Sequence, residues 1–175
     1  MPEERNYALA SIFGAGIENM LHHTPHARRL GMQVEKTGPG FAVVHLPFAA
    51  ELVGDPGRGV VFGGVITTLL DQTAGLAVAC AMKELRPIAT VDLRVDYLRA
   101  AEPGKDLYAH VECTKLTRAV AFVRGSAWEG SEEDPFATCL GTFMIGANPV
   151  VSPGLKKLAE AEAEAERDRA REVES

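Results

Sequence analysis

The sequence predicts an α+β domain in which a curved antiparallel sheet of about six strands covers one long, apolar helix. Two patterns indicate this fold class. Between residues 64 and 82, apolar side chains occur on almost every face of a helix, so the helix should be buried on most sides. After residue 87, apolar and polar residues alternate over successive segments joined by short turns. Such short connections require antiparallel pairing, which places the strands in one sheet around the helix.

Length and composition fit one domain with a proper core. The chain has 175 residues, of which 46% are hydrophobic and 24% are charged. Its formal net charge of -6 argues against a nucleic-acid partner, which would require a basic surface. No signal-peptide pattern follows the charged start Pro2–Arg5, and polar residues interrupt the long helix. We therefore expect a cytoplasmic protein without a membrane partner.

The three cysteines, Cys80, Cys113 and Cys139, lie in apolar contexts without the spacing of a metal site. An odd number of cysteines in such contexts indicates reduced thiols in the core. Three histidines lie close together at residues 22, 23 and 26, but no cysteine or carboxylate follows at ligand spacing. We expect no bound metal.

The first part of the chain predicts a helix and a hairpin. From residue 4 to residue 21, apolar side chains recur every three or four positions, which indicates a helix packed by one face. Pro25 ends it. The segments 32–36 and 41–46 are strand-like and flank a turn that is rich in glycine and proline. We divide the chain into an N-terminal helix and loop (1–30), the main domain (31–148) and a charged tail (149–175).

The segment from residue 52 to residue 61 contains three glycines and one proline, and it leads into Gly63 and Gly64. It is either a flexible connector or the rim of a pocket. It lacks the Gly-Lys-Ser or Gly-Lys-Thr of a nucleotide-phosphate loop. The paired glycines let a ligand or another chain approach the first turn of the long helix, whose unpaired N–H groups carry the positive end of the dipole. The helix start is therefore expected to attract an anion.

Asp71 is the unusual residue of the long helix, because its neighbours are apolar. Burial of an ionised carboxylate without partners costs several kcal/mol, so Asp71 must reach donors, a counter-ion or a water-filled cavity. Thr67, Thr68 and Gly75 share its side of the helix and form a narrow polar strip. Asp71 is either a functional carboxylate or a residue without a function in the site. In the second case it breaks the helix, or it bonds Thr67 and faces solvent. The residues alone leave both readings open.

The second half of the chain predicts an antiparallel meander and a tail. The alternating segments are residues 91–97, 107–114, 119–128 and 136–145. From residue 155 onward, residue propensity favours a helix, but alanine and glutamate alternate without an apolar stripe, so we expect a solvated or frayed helical tail.

Three segments carry a resemblance to a known family: Val61–Asp71 (Val-Phe-Gly-Gly-Val-Ile-Thr-Thr-Leu-Leu-Asp), Val91–Arg99 with the following Pro-Gly, and Thr142–Met144. Together they resemble the hotdog-fold acyl-CoA thioesterases, in particular the phenylacetic-acid-degradation (PaaI-like) type of the 4-hydroxybenzoyl-CoA thioesterase superfamily. The similarity covers residues 31–146. The family has His-Gly-Gly before the helix and an acidic residue eight positions after the first glycine. Gly63 and Asp71 keep that spacing, whereas phenylalanine replaces the histidine.

The resemblance implies hydrolysis of acyl-CoA thioesters to free acid and coenzyme A, without a cofactor other than the coenzyme A of the substrate. It implies a homodimer or a dimer of dimers (homotetramer) with sites at the interface between copies. The amide of Gly63, next to Gly64, would stabilise the oxyanion. Asp71 would activate water or attack the carbonyl carbon itself. Asp55 falls where relatives have an asparagine that holds the water or the carbonyl.

The resemblance also implies substrate contacts. Phe62 would form an apolar wall of the pocket, and Thr68 and Gly75 would line it. Basic and hydroxyl side chains could meet the phosphates of coenzyme A, since guanidinium groups bind phosphate through two hydrogen bonds. These candidates are Arg94, Arg99, Lys115, Thr117 and Arg118.

Two alternatives to hydrolysis remain. A non-catalytic hotdog module that binds acyl-CoA or lipid is suggested by Phe62 and Asp55, both of which depart from the family pattern. A hotdog dehydratase or hydratase for acyl thioesters would require a histidine near the long helix. None occurs between His45 and His110.

Overall fold

The computed structural model of the chain describes residues 20–21 and 24–147. The predicted N-terminal helix, except for its last two residues, and the predicted tail lie outside this part of the chain. The helices are α1 (Pro25–Leu30) and α2 (Gly63–Ala81), and a short 3-10 turn spans Ala50–Leu52. The strands are β1 (Gln33–Gly38), β2 (Phe41–Leu46), β3 (Val53–Asp55), β4 (Val60–Val61), β5 (Ile88–Tyr97), β6 (Leu107–Leu116), β7 (Val120–Trp128) and β8 (Ala137–Ile145).

Six of the strands form one antiparallel sheet in the order β1-β2-β6-β7-β8-β5. The predicted hairpin and the four antiparallel strands predicted after the long helix are confirmed. The predicted order of those four strands is wrong, because only β6, β7 and β8 pair in succession and β5 pairs with β8 rather than with β6. The short strands β3 and β4 form a separate ribbon within the segment predicted as a loop. Strands of three and two residues show no alternation in sequence, so this ribbon was not predicted.

Helix α2 packs against one face of the sheet, mainly on β6, β2 and β7. Apolar side chains from most of its circumference are buried, as the sequence predicts. The alternating burial along β8 shows which sheet face is covered by the helix. By length and composition α2 could cross a membrane, with a mean hydropathy of 1.3 over 18 residues, but 56% of that window is buried inside the domain. It has the features of a core helix.

One buried carboxylate ties the segment after β5 to the turn between β7 and β8. The side chain of Glu129 is 0% exposed. Its Oε1 accepts a hydrogen bond from the guanidinium of Arg99 and one of 2.9 Å from the backbone N–H of Glu102. Arg99 also donates to the carbonyl oxygen and the carboxylate of Asp134, at 2.9 and 3.2 Å. The bond to Glu129 is the largest cause that raises the pKa of the Arg99 guanidinium above its ordinary value.

We expect Glu129→Ala to lower the free energy of unfolding by about 3 kcal/mol. The substitution removes the buried carboxylate that accepts hydrogen bonds from the guanidinium of Arg99 and the N–H of Glu102. Urea denaturation measures the effect. Asp134→Ala is the matched control, because the carboxylate of Asp134 is 80% exposed and its loss should cost less than about 1 kcal/mol. Equal stability of the two variants would contradict a structural role for Glu129.

Candidate active site

Helix α2 begins with backbone amides that point away from the protein's own acceptors. Phe62, just before the helix, is fixed on both sides: its N–H donates to Leu52 at 2.8 Å, and its carbonyl oxygen accepts from the N–H of Val65 at 2.9 Å. In the described part of the chain, the N–H groups of Gly63 and Gly64 have no acceptor. Because these donors lie at the positive end of the helix, they can bind a carbonyl oxygen or an oxyanion.

The glycines near the helix start make room for the ring of Phe62. A Cβ atom at Gly64 would lie 2.5 Å from Cε1 of that ring, and one at Gly54 would lie 2.9 Å from the Cα and Cβ atoms of Phe62. Side chains at either position would therefore displace Phe62. The ring itself is 61% exposed, so it provides an apolar wall beside the unpaired amides.

Three hydroxyl groups hold the first turn of α2. Tyr97 donates to the carbonyl oxygen of Gly63 at 2.9 Å, and Thr67 donates to the same oxygen at 3.1 Å. Thr68 donates to the carbonyl oxygen of Gly64 at 2.8 Å. Tyr97 is the last residue of β5, so its contact fixes the end of that strand to the helix start. The alternating pattern predicts Tyr97 only as part of a strand, and no local feature of the sequence indicates this contact.

Asp71 lies two turns farther along α2 and is half-buried. Its Oδ1 accepts a hydrogen bond of 2.8 Å from the hydroxyl of Thr90 in β5. The helix continues past Asp71 to Ala81, and Thr67 bonds Gly63 rather than Asp71. Both simpler readings of Asp71 are therefore wrong. Among the described residues, no donor reaches its Oδ2, so this oxygen can accept a hydrogen bond from water or a ligand.

A cavity of about 270 Å³ lies beside Asp71, between α2 and the sheet. Asp71 and Thr90 contribute its polar groups together with Gln72 and Thr24, and Gly75 leaves one wall without a side chain. The apolar part of the lining consists of Met20, Leu21, Leu76, Ile88 and Phe143. The arrangement can hold an apolar chain whose reactive end lies at a carboxylate.

Asp55 is exposed at the end of β3 and shapes its own turn. Its carboxylate accepts a hydrogen bond of 3.1 Å from the N–H of Gly57, and its carbonyl oxygen accepts from the N–H groups of Arg58 and Gly59. It does not line the cavity beside Asp71. Its predicted part in catalysis stays a prediction.

The candidates for phosphate binding are dispersed, and none of them lines the cavity beside Asp71. Arg94 forms an exposed ion pair of 3.0 Å with Asp96. Arg99 is held by Glu129, as described above. Thr117 closes the turn between β6 and β7 through hydrogen bonds of 2.7 and 2.9 Å with the backbone of Val120. The side chains of Lys115 and Arg118 are exposed near the same turn.

The cysteines do not supply a nucleophile. All three are free thiols, and Cys139 is buried while Cys80 and Cys113 are half-buried. Burial raises the pKa of Cys80 and of Cys139 to about 11 and also raises the pKa of Cys113. The thiols are therefore protonated near neutral pH, whereas the reactive form of cysteine is the thiolate.

Comparisons of the sequence with known proteins identify thioesterases among its relatives. The family model described as the thioesterase superfamily matches residues 58–135. The medium/long-chain acyl-CoA thioesterase YigI of Escherichia coli K12 is 30% identical over 142 residues, which cover 74% of this chain and 90% of the relative. The corresponding thioesterase of Salmonella typhimurium is 31% identical over 144 residues, with the same coverage.

Solved structures show the same fold. A Pseudomonas aeruginosa protein is 38% identical, with a TM-score of 0.67 over 73% of this chain and 95% of that chain. The Escherichia coli PaaI protein from the phenylacetic acid degradation operon is 18% identical, with a TM-score of 0.67 over 75% of this chain and 91% of that chain. The second likeness concerns the fold alone. Together they confirm the hotdog fold expected from the sequence.

Proposed function

Because the chain belongs to the thioesterase superfamily, we propose that it hydrolyses acyl-coenzyme A thioesters to the free acid and coenzyme A. The observation that carries this proposal is the carboxylate of Asp71, held by Thr90 at the side of a partly apolar cavity. The names of the Escherichia coli and Salmonella relatives, which are acyl-CoA thioesterases, support coenzyme A as the carrier.

The amide of Gly63 is proposed to stabilise the oxyanion. When water, or the carboxylate of Asp71 itself, attacks the thioester carbon, the carbonyl oxygen becomes negative. A donor aimed at that oxygen is worth about 3 kcal/mol in other acyl-transfer enzymes. Collapse of the tetrahedral intermediate then breaks the C–S bond and releases the thiolate of coenzyme A. Tyr97 and Thr67 position this turn through the carbonyl oxygen of Gly63.

Asp71 is proposed to act as the general base or as the nucleophile. As a base, it takes a proton from water while the water attacks the carbonyl carbon. As a nucleophile, it forms an anhydride that water then hydrolyses. In both cases Thr90 holds Oδ1 and leaves Oδ2 for the reaction. These steps use only groups of the chain and water.

We propose that two copies of the chain form one site. Eight residues of α-helix separate Gly63 from Asp71 by about 12 Å along the axis. In the proposed mechanism the amide and the carboxylate therefore come from different copies, because one thioester carbonyl cannot contact both groups of the same chain. Large apolar side chains are exposed beside the helix start, on the edge strand β5 and directly after that strand; they include Phe62, Val91 and Leu98. We propose that they contact a second copy in a dimer or a dimer of dimers.

A non-catalytic module that binds acyl-CoA or lipid is the second candidate. Phe62 stands where the family has histidine, so that position places no titratable side chain beside the Gly63 amide. The proposed mechanism does not need this histidine, since the donor is the backbone amide. A dehydratase has less support. His45 bonds Asp106 at 3.0 Å and His110 bonds Glu132, and neither lines the cavity beside Asp71.

Release of free thiol from a panel of acyl-CoAs tests the proposal. The purified chain is assayed with short-, medium- and long-chain aliphatic and aryl thioesters. Hydrolysis of at least one coenzyme A thioester is the expected result. Tight binding of these esters without thiol release would favour the binding module instead.

A further inference from the structure

Gly75 is a glycine in the interior of α2 that packing does not require. Glycine destabilises the interior of a helix relative to alanine. A Cβ atom at Gly75 would lie 3.5 Å from Cδ1 of Ile88, which is an ordinary van der Waals contact. Gly64 differs, because a side chain there would collide with Phe62. The reason for glycine at position 75 must therefore lie outside the folding of the helix.

The position of Gly75 indicates what that reason is. It lies one turn of helix, about 6 Å, beyond Asp71 and lines the same cavity. Ile88 stands opposite, at the start of β5, and Phe143 of β8 completes the apolar wall. A side chain larger than methyl at position 75 would project into this space and shorten the cavity on the side away from Gly63.

We propose that Gly75, together with Ile88, sets the length of acyl chain that the site accepts. The acyl chain runs from the carbonyl carbon at Asp71 past Gly75 and ends against Ile88 and Phe143. The inference rests on the proposed function. The cavity of about 270 Å³ is slightly smaller than ligand pockets of about 300–1,000 Å³, so the favoured substrates are unbranched aliphatic thioesters of medium length.

The size of the effect follows from the apolar contact of each methylene group. Each methylene that leaves water for an apolar site strengthens binding by about fourfold. Valine at position 75 adds three carbons to the wall and should exclude two or three methylenes. For medium-chain substrates, kcat/KM should then fall by roughly 20- to 60-fold relative to short-chain substrates. Ile88→Ala should shift the preference toward longer chains.

The experiment compares chain-length profiles of kcat/KM for the full chain, Gly75→Ala, Gly75→Val and Ile88→Ala. The control is Ala81→Val in the last turn of α2, which adds a branched side chain to the helix outside the cavity. We expect Gly75→Val to lose the medium-chain substrates, so that short-chain thioesters become its best substrates. Gly75→Ala should be intermediate and have a higher unfolding temperature. The control should keep the wild-type profile.

Two results would overturn the inference. One is a folded Gly75→Val variant with the wild-type profile. The other is an equal loss for all chain lengths together with a smaller particle in size-exclusion chromatography, which would mean that Gly75 serves contact between copies.

A measurement of binding distinguishes failure of this inference from failure of the proposed function. Affinities of alkyl-CoA thioethers, which cannot be hydrolysed, are measured by calorimetry for the same variants. A wild-type chain that hydrolyses no thioester contradicts the proposed function. A thioether profile that shifts to shorter chains in Gly75→Val still supports the role of Gly75, and an unchanged profile contradicts it.

Discussion

Replacement of Asp71 by asparagine is expected to lower turnover by at least about 100-fold, as loss of a general base usually does. Asparagine has nearly the same shape, and its carbonyl oxygen can still accept the hydrogen bond from Thr90. It cannot take a proton from water and is a poor nucleophile. The measurement is kcat for thiol release, with affinity for an acyl-CoA thioether measured beside it. Affinity and particle size should remain those of the wild type.

Asp92→Asn is the matched control for this substitution. Asp92 is an exposed aspartate of β5, the strand that also carries Thr90. The substitution removes the same charge from the chain at a residue that does not line the cavity. We therefore expect wild-type turnover. Unchanged activity of Asp71→Asn would show that Asp71 has no part in the reaction. A loss of affinity or of the oligomer would show that its role is structural.

Gly63→Pro is expected to lower kcat by about 10²- to 10³-fold, because proline lacks the N–H group proposed to bind the oxyanion. The helix should tolerate this change. Gly63 is the first residue of α2, a position that proline favours. The preceding Phe62 has φ −62° and ψ 130°, within the extended region that residues before proline adopt. Circular dichroism and kcat together separate the loss of the donor from a loss of structure.

Gly63→Ala is the control, since it keeps the N–H group. Its Cβ atom would lie 3.3 Å from the hydroxyl oxygen of Tyr97. Tyr97 is half-exposed and can move by the few tenths of an ångström required, so we expect a loss of less than about tenfold, well below the cost of a lost oxyanion donor. Equal activity of the proline and alanine variants would contradict the role of the amide.

The framework of the fold could be predicted because its elements are long and periodic. The predicted helix spans residues 64–82, whereas α2 spans Gly63–Ala81. The helix ends one residue earlier than predicted because Met82 already has an extended backbone. The four late strands are nine or ten residues long, which is long enough for alternation to mark them in the sequence. The β3–β4 ribbon is too short for such a pattern. The pairing of β5 with β8 depends on contacts distant in sequence, which alternation does not encode.

Within the candidate site, local chemistry draws attention to Asp71, a carboxylate in an apolar helix, and to the start of α2, whose first N–H groups have no side-chain acceptor; the roles of Asp71 and Gly63 follow from the family resemblance. Thr90 and Tyr97 could not be identified from the sequence, because their hydrogen bonds depend on which strand lies beside α2. Arg99 is a residue that the sequence suggests for the site but that the fold uses elsewhere. The sequence marks it as a cation for phosphate, but its partner Glu129 lies 30 residues away and is brought close only by the fold.

Activity of mixed subunits tests most directly whether one site combines Gly63 of one copy with Asp71 of another. The Gly63→Pro and Asp71→Asn chains are co-expressed with two different affinity tags, and the assembly that carries both tags is purified. In a dimer, one of the two sites then contains both native groups. A shared site predicts about half of the wild-type turnover per dimer. Turnover no higher than that of either variant alone would contradict it and place the reaction within a single chain.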